Sequence, residues 1–301
     1  MKTYTVSKSE PFIPNPIWVS PSGSDETGDG TETNPFRQIQ HACNKAKGLQ
    51  RDINVNAGEY NGFRVTQSSI IAINLLGDVN IINSNNIDSI ITISYNSILT
   101  IRESNYNFII DCSYDKHCIM VTHNSFFAYH YGDLILKNLN LNNKNIIYTN
   151  AHSMSYIRCN INYQGTVNLQ GSINLFFTCH GSNSSWVLST GTTTNLGNIP
   201  RSNATALVFG KMSGPGDISL LSSNINISNT FTHGLYTDAG FISANIGSNN
   251  ATTPLVQANG GRIFLGSSTS TTNSISPSPQ ILDISSDSDI ALPQEAFFDG
   301  L

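Results

Sequence analysis

The sequence predicts an all-β chain that coils as a parallel β-solenoid, and three observations support this prediction. Short apolar runs recur about every 8 to 12 residues between Arg51 and Leu265, separated by Asn, Ser and Gly. Charged residues make up only 12% of the chain, whereas 37 of its 301 residues are Asn. Asn tolerates the left-handed backbone of tight corners and forms hydrogen-bonded ladders. The third observation is a single amphipathic helix near the N-terminus, with almost no other helical pattern in the chain.

The rhythm of the apolar runs does not by itself separate a solenoid from a β-sandwich or a barrel. Three consecutive strands would form a coil of about 25 residues, which is a solenoid period. The helix favours the solenoid, because the open end of a solenoid must be covered whereas a sandwich has no such end.

The elements begin with a strand over Ile17-Trp18-Val19 and a loop rich in Gly, Asp and Ser. Three glycines of this loop are expected to supply the positive φ of tight turns, namely Gly23, Gly28 and Gly30. The acidic stretch 24–30 lacks the alternating oxygen ligands and the closing Glu of an EF-hand loop, so turn chemistry explains it better than calcium.

The helix is predicted between Asn34 and Gly48. Asn34 is expected to act as the N-cap, with Pro35 in the first turn. The apolar residues from Phe36 onwards fall on one helical face. Gly48 is expected to end the helix.

The chain is predicted to divide into three parts. Residues 1–16 contain three prolines and are expected to form an extended N-terminal arm. Residues 17–266 are expected to form the capped solenoid. Residues 267–301 are rich in Ser, Thr and Pro before an acidic end, which fits a closing segment, a segment packed on a sister subunit, or a disordered tail.

Composition argues against several classes of partner. The net charge of −5 and the scattered basic residues argue against nucleic acid. No apolar run approaches the ~20 residues of a membrane span, and the N-terminus lacks the apolar core of a signal peptide. The five cysteines lack a Cys-x-x-Cys pair and are expected to be reduced core residues rather than a zinc site.

Residues 17–66 carry a recognisable pattern. The run Val-Ser-x-x-Gly-x-Asp-x-x-x-Asp-Gly-Thr-x-x-x-Pro-Phe-x-x-Ile-Gln-x-Ala from Val19 is followed by a strand and by Gly58-Glu59-Tyr60. This pattern resembles the N-terminal cap of right-handed parallel β-helix proteins, the pectate-lyase-like superfamily that includes many phage tailspikes. The resemblance implies an all-β, right-handed, single-stranded parallel β-helix with an N-terminal capping α-helix.

The resemblance also directs the functional prediction. We expect a virion tail component, a tailspike or short tail fibre, that is assembled in a host cytoplasm and attaches to a host surface polysaccharide. By the same resemblance a homotrimer is expected, with the N-terminal arm contacting other tail proteins. A polysaccharide depolymerase, a lyase or a glycoside hydrolase, is the alternative on the same fold. A bacterial surface adhesin is a third hypothesis, which the missing secretion signal disfavours.

Catalytic residues are not recognisable in the sequence, and no cofactor or metal is predicted. Glycoside hydrolases need two or three converging carboxylates. Asp88, Asp111 and Asp133 are spaced by nearly one predicted coil and are therefore candidates for a stacked acidic row on one face. Solvated turn positions are the simpler interpretation of these three residues.

An aromatic cluster at 126–131 is the strongest candidate for contact with a glycan. Strand alternation predicts that Phe127, Tyr129 and Tyr131 share one face, while Phe126 and His130 share the other. Aromatic faces with polar edges suit sugar stacking, although core packing or a subunit interface would use them too. The candidate glycan contacts are Tyr129, Tyr131, His130 and, further along the chain, Trp186.

Overall fold

The protein is described by a computed structural model, which covers residues 15–83 and 88–180 and the strands between 184 and 291. Beyond residue 171 it describes the backbone of the strands but few side chains. Most of the predicted N-terminal arm and most of the segment 267–301 lie outside these residues.

The described residues form one short helix, α1 (Ile39–Lys45), and 23 strands. The strands up to the middle of the chain are β1 (Ile17–Val19), β2 (Gln50–Val55), β3 (Gly58–Asn61), β4 (Arg64–Val65), β5 (Ile70–Leu75), β6 (Val79–Asn83), β7 (Ser89–Ile93), β8 (Ile98–Ile101), β9 (Asn107–Asp111), β10 (His117–Val121), β11 (Phe126–Asn142), β12 (Ile147–Asn150) and β13 (Met154–His180). The later strands are β14 (Ser184–Leu188), β15 (Thr193–Leu196), β16 (Asn203–Ser213), β17 (Gly216–Ile227), β18 (His233–Thr237), β19 (Phe241–Asn249), β20 (Val256–Ala258), β21 (Gly261–Leu265), β22 (Leu282–Ile284) and β23 (Ser288–Ala291).

These strands pair in parallel, coil upon coil, which confirms the predicted parallel β-solenoid. One ladder runs β1–β2–β5–β8–β11–β13, a second runs β3–β6–β9–β11–β13, and a third runs β4–β7–β10–β12–β13. The long strands β11 and β13 take part in more than one ladder, and β11 changes register where it passes from one to the next. The fold is therefore a continuous stack of coils rather than two sheets packed face to face.

The length of a coil differs from the predicted 25 residues. Asn54 and Asn74 stack with a separation of 20 residues, whereas the serines that stack in the next three coils are 28 residues apart. The connections between ladders vary in length, and an average spacing of apolar runs conceals that variation.

Inward-facing side chains form apolar columns along the solenoid. Ile73, Ile101, Tyr129 and Ile157 occupy the same register in four successive coils, and each is fully buried. Burial of each such side chain stabilises the fold by about 1.5–3 kcal/mol. Because strand residues alternate between faces, every second residue of these strands belongs to the interior.

A column of buried serines marks one corner of the solenoid. Ser69, Ser97, Ser125 and Ser153 are almost completely buried and are stacked in successive coils. The backbone N–H of each of the first three donates to the hydroxyl of the next, over 3.3, 3.2 and 3.1 Å. The hydroxyls of Ser97, Ser125 and Ser153 donate to the carbonyl two residues earlier in their own turns. The column thus satisfies backbone groups that would otherwise be buried without partners.

The two residues before each buried serine adopt the left-handed conformation. The pairs Tyr95–Asn96 and His123–Asn124 have φ values of 57 to 59°. The N–H of Asn96 donates to the carbonyl of His123 over 2.9 Å, so the corner itself continues the ladder. The prediction that Asn serves left-handed corners is confirmed here.

Asn side chains also stack outside the core, as predicted from their abundance. The amide of Asn74 donates to the side chain of Asn54 over 2.8 Å, and Asn168 donates to Asn140 over 2.9 Å. These ladders satisfy polar groups along the coil surface with little need for charged residues.

The predicted start of the helix is wrong. Helix α1 begins at Ile39 with Gln38 as its N-cap, and Phe36 instead forms a parallel bridge with Val19. The N–H of Phe36 donates to the carbonyl of Trp18, so pairing with β1 competes successfully with the first helical turn. The buried helical face, with Ile39, Ala42 and Cys43, was correctly predicted. That this helix covers the end of the solenoid stays a prediction.

The N-terminal loop uses its glycines differently from the prediction. Only Gly30 has a positive φ, of 80°. At Gly23 a Cβ atom would collide with the backbone of Pro35 and Phe36, so close approach, rather than φ, excludes a side chain. The carboxylate of Asp25 accepts hydrogen bonds from the N–H groups of Arg37 and Gln38 over 2.9 and 3.0 Å, which ties the loop to the start of α1.

Four cysteines, Cys43, Cys112, Cys118 and Cys159, are buried as free thiols, as predicted. Burial raises the pKa of the Cys43 thiol to about 12. The side chain of Cys179 lies outside the described residues.

At the C-terminal end, β22 and β23 pair in parallel with β20 and β21. Ladder pairing therefore continues into the segment that the sequence set apart at residue 267. Among the described residues, no helix is long and apolar enough to cross a lipid bilayer.

Replacing Ser97 with Ala tests the serine column. We expect Ser97→Ala to lower the free energy of unfolding by about 1–3 kcal/mol, because the buried N–H of Ser69 loses its acceptor. Ser104→Ala is the matched control, since its hydroxyl accepts a hydrogen bond in an exposed turn. Urea unfolding of the two variants beside the parent measures the difference. Equal stabilities of the two variants would show that the column contributes nothing.

Candidate functional site

A groove on the outer surface of the third ladder is the main candidate for a functional site. It has a volume of about 190 Å³ and lies over β4, β7 and β10. Its charged residues are Arg64 and Asp88, and its rings are Tyr95 and His123. Hydroxyl side chains and Met120 complete the wall, the hydroxyls being those of Thr66, Ser89, Thr92, Ser94 and Thr122.

Coil stacking explains why these residues meet. Arg64, Thr92 and Met120 occupy the same register in three successive coils and all face outward. Strand β7 is buried on both faces, although Ser89 and Thr92 line the groove. The floor of the groove is therefore closely packed backbone and hydroxyl side chains.

The ring pair at the corner is the most distinctive feature of the groove. Tyr95 and His123 stack with centroids 4.7 Å apart and ring planes at 21°. The left-handed turn directs both side chains away from the core, and 57% of the Tyr95 surface is exposed. The hydroxyl of Thr122 lies 2.7 Å from Nδ1 of His123, which holds the imidazole in place. The result is a fixed aromatic platform at one end of the groove.

The two charged residues of the groove are not neutralised by each other. The ion pair found among the described residues joins Arg102 to Asp52, on another face. In the same part of the chain, neither the guanidinium of Arg64 nor the carboxylate of Asp88 makes a hydrogen bond to another side chain. Both groups therefore remain able to bind a ligand.

His117 lies beside the groove at the start of β10 and stays neutral at physiological pH. Burial is the main cause that lowers its pKa to about 4, and Lys144 adds to this, while Asp88 and Asp115 oppose it. Its ring stacks on Tyr148 at 5.0 Å, and its Nδ1 accepts the N–H of Asn145 over 3.0 Å. Protonation would place a hydrogen on the atom that accepts this bond.

The predicted aromatic face at 126–131 is wrong in part. Tyr129 is fully buried with Phe127, and its hydroxyl donates to the carbonyl of Asp133 over 3.0 Å. A surface glycan cannot reach Tyr129. Tyr131 is exposed instead, because a left-handed turn at Tyr131 and Gly132 ends the strand alternation. A Cβ at Gly132 would lie 2.9 Å from the carbonyl of Ser104, which favours glycine at this corner.

The other predicted glycan contacts form a second, smaller cluster. The guanidinium of Arg158 lies 4.0 Å from the centre of the Tyr131 ring, and His130 packs 5.5 Å from Tyr156. Burial, and to a lesser extent Arg158, lowers the pKa of His130. Because Arg158 already occupies the face of Tyr131, this cluster offers a ligand less free ring surface than the groove does. Trp186 lies in β14, and its side chain lies outside the described residues.

The three candidate acids do not form the predicted row. Asp88 precedes β7 in the third ladder, whereas Asp111 and Asp133 lie in the second. Asp111 is paired in register with Lys137, and Asp133 with Asn107. Their spacing of 22 and 23 residues does not match the coil in this region, which places residues 26 apart in register in the second ladder and 28 apart in the third. Asp88 nevertheless lies in the groove.

Arg64, Tyr95 and His123 are functional candidates that the sequence pattern did not predict. A repeat signal was present, because Tyr95-Asn96-Ser97 and His123-Asn124-Ser125 are similar triplets separated by one coil. Their alignment would have placed the two rings at the same corner. Arg64 carries no such signal.

Comparisons with known proteins do not identify a family: no family model, no curated protein and no solved structure matches this chain. Among the described residues, no three His, Cys, Asp or Glu side chains are grouped as a metal ion would require.

The pH dependence of stability tests the environment of His117. Its pKa in the folded state, about 4, is below the value of 6.5 for a free imidazole. Above pH 6.5 both states are neutral and stability is complete, whereas between pH 6.5 and 4 the unfolded state alone binds the proton. We expect the free energy of unfolding to fall by up to about 3 kcal/mol across this window, at about 1.4 kcal/mol per pKa unit.

The matched variant for this measurement is His117→Gln, which keeps an acceptor for the Asn145 N–H but cannot titrate. Urea unfolding at several pH values should give a shallower decline for this variant than for the parent. Identical declines in both proteins would contradict a neutral, half-buried His117.

Proposed function

We propose that the protein is a virion tail component, a tailspike or short tail fibre, that attaches to glycans on the host surface through the side of its β-solenoid. The single observation that carries the glycan-binding role is the groove with its Tyr95–His123 platform. The resemblance of residues 17–66 to the cap of right-handed parallel β-helix proteins, which include many phage tailspikes, supports the proposed virion role.

The chemistry of the groove suits a saccharide. An exposed aromatic ring offers an apolar face to the C–H groups of a sugar while its polar edge stays hydrated. Asp88 and Arg64 offer charged acceptors and donors for sugar hydroxyls, and such charge-assisted bonds are stronger than neutral ones. The concave shape lets both kinds of contact act on one ligand.

The solenoid suits attachment because it holds these side chains on paired strands and on a corner tied down by buried serines. The side chains of the groove then lose little conformational freedom when the ligand binds, which favours affinity. In the proposed assembly, the N-terminal arm up to Pro16 joins the solenoid to other tail proteins. The described part of this junction is held to β2, since Asn15 accepts the N–H of Asp52 over 2.9 Å.

We propose that three copies of the chain associate through the outer face of the first ladder. Ile70, Ile98, Phe126 and Met154 stand in one register in four successive coils and form an outward apolar row. Within this row, 39% of the surface of Ile70 is exposed. An apolar row along the coil axis is a surface that a symmetric assembly can bury.

Measurement of the mass in solution tests the trimer. We expect the parent to sediment at about three times its 32.7 kDa chain mass, and Phe126→Lys to shift the protein towards the monomer because it places a charge in the row. Tyr114→Lys, at an exposed tyrosine outside the row, is the control. A parent that sediments as a monomer at micromolar concentration would rule out this assembly.

Binding to an array of bacterial surface polysaccharides tests the proposed attachment. We expect at least one glycan to bind, and Tyr95→Ala to weaken that binding about tenfold, which corresponds to about 1.4 kcal/mol. Tyr114→Ala removes an exposed tyrosine elsewhere and should bind as the parent does.

Product analysis on the same glycans separates attachment from cleavage. Release of shorter chains by the parent would replace attachment by a depolymerase function, and loss of that release in Asp88→Asn would assign the carboxylate of the groove. Absence of binding to every glycan would contradict the proposal.

A further inference from the structure

We propose that the groove over β4, β7 and β10 selects an acidic glycan, and that Arg64 binds its anionic group. The inference rests on the proposed glycan attachment and adds the chemical class of the sugar.

The position of Arg64 is fixed by its backbone rather than by its side chain. Strand β4 has only two residues, and the side chain of Gln40 in α1 holds it in place. The N–H of Arg64 donates to Oε1 of Gln40 over 2.7 Å, and Nε2 of Gln40 donates to the carbonyl of Arg64 over 3.4 Å. The guanidinium is therefore presented from a fixed point at the wall of the groove.

The surroundings of Arg64 leave its charge uncompensated. The residues beside it in register are Thr92 and Met120, which carry no charge. Two other arginines differ in this respect, since Arg102 pairs with Asp52 at 2.8 Å and Arg158 covers the ring of Tyr131. An exposed guanidinium with free donors in a groove binds a carboxylate or a phosphate by two parallel hydrogen bonds.

Asp88 does not cancel this preference, because it lies at the other end of the groove. It precedes Thr92 by four residues, which separates the backbone positions by about 13 Å along an extended strand. The ion pair found among the described residues joins Arg102 to Asp52, so Arg64 and Asp88 are not paired with each other. The anionic group would therefore lie near Arg64, with Asp88 available to accept hydroxyl groups of a neighbouring sugar.

The platform adds a further constraint on the ligand. Tyr95 and His123 lie at the corner beyond Ser94 and Thr122, on the side of Arg64 opposite to Asp88. A ligand that meets all three parts must extend along the strand direction. An oligosaccharide of two or three sugars, with its acid group on an inner or neighbouring unit, has this form.

Paired oligosaccharides test the inference with the whole 301-residue chain. The probes are tetrasaccharides containing glucuronate, galacturonate or sialic acid, each beside its carboxyl-reduced form, and sugar-phosphate oligomers beside their dephosphorylated forms. By calorimetry, the parent should bind at least one acidic probe about tenfold more tightly than its neutral form. The two series show whether the preferred anion is a carboxylate or a phosphate.

The variant Arg64→Gln should abolish this difference between acidic and neutral probes while Arg102→Gln preserves it. Circular dichroism checks that each variant is folded. The comparison of acidic with neutral probes on the parent tests the inference even if a variant does not fold.

Equal binding of acidic and neutral forms by the parent would overturn the inference, as would a folded Arg64→Gln that keeps the preference. Either outcome leaves glycan attachment in place. Absence of binding to every saccharide would overturn the inference and the proposed attachment together.

Discussion

The pairing of each coil with the coils before and after it is the constraint on which the rest of this structure depends. Every backbone N–H and C=O in a buried ladder needs a partner, and parallel pairing in a constant register provides one. Constant register also places similar residues above one another. Apolar columns such as Ile73–Ile101–Tyr129, asparagine ladders and the serine column are therefore consequences of one geometric rule.

The corner of the solenoid links this rule to the candidate site. A chain that must turn sharply between ladders uses two left-handed residues, a conformation that costs a residue other than glycine about 1–2 kcal/mol. The buried serine after each pair, with its hydrogen bonds within the turn and between coils, offsets that cost. Since the turn directs Tyr95 and His123 outward, the element that stabilises the corner also forms the ring platform.

Coil stacking also gives the arginines of this surface, which carries few charged residues, two different environments. Arg102 and Asp52 face each other across coils and neutralise one another, whereas Arg64 lies between uncharged neighbours. In the proposed role, a single arginine without an ion-pair partner in a groove gives specificity because the surroundings offer few competing charges. Tyr131 shows the opposite case, since Arg158 already occupies its ring face.

By itself the sequence determined the parallel solenoid, the buried helical face, the reduced core cysteines and the use of Asn at corners, because each depends on local pattern and residue type. Only the tertiary structure decided the 28-residue coil, the start of α1 at Ile39 and the burial of Tyr129. It also decided which residues form the groove. Register brings Arg64, then Asp88 and Tyr95 at the two ends of β7, and then His123 together from three successive coils, and a pattern read along the chain does not contain register.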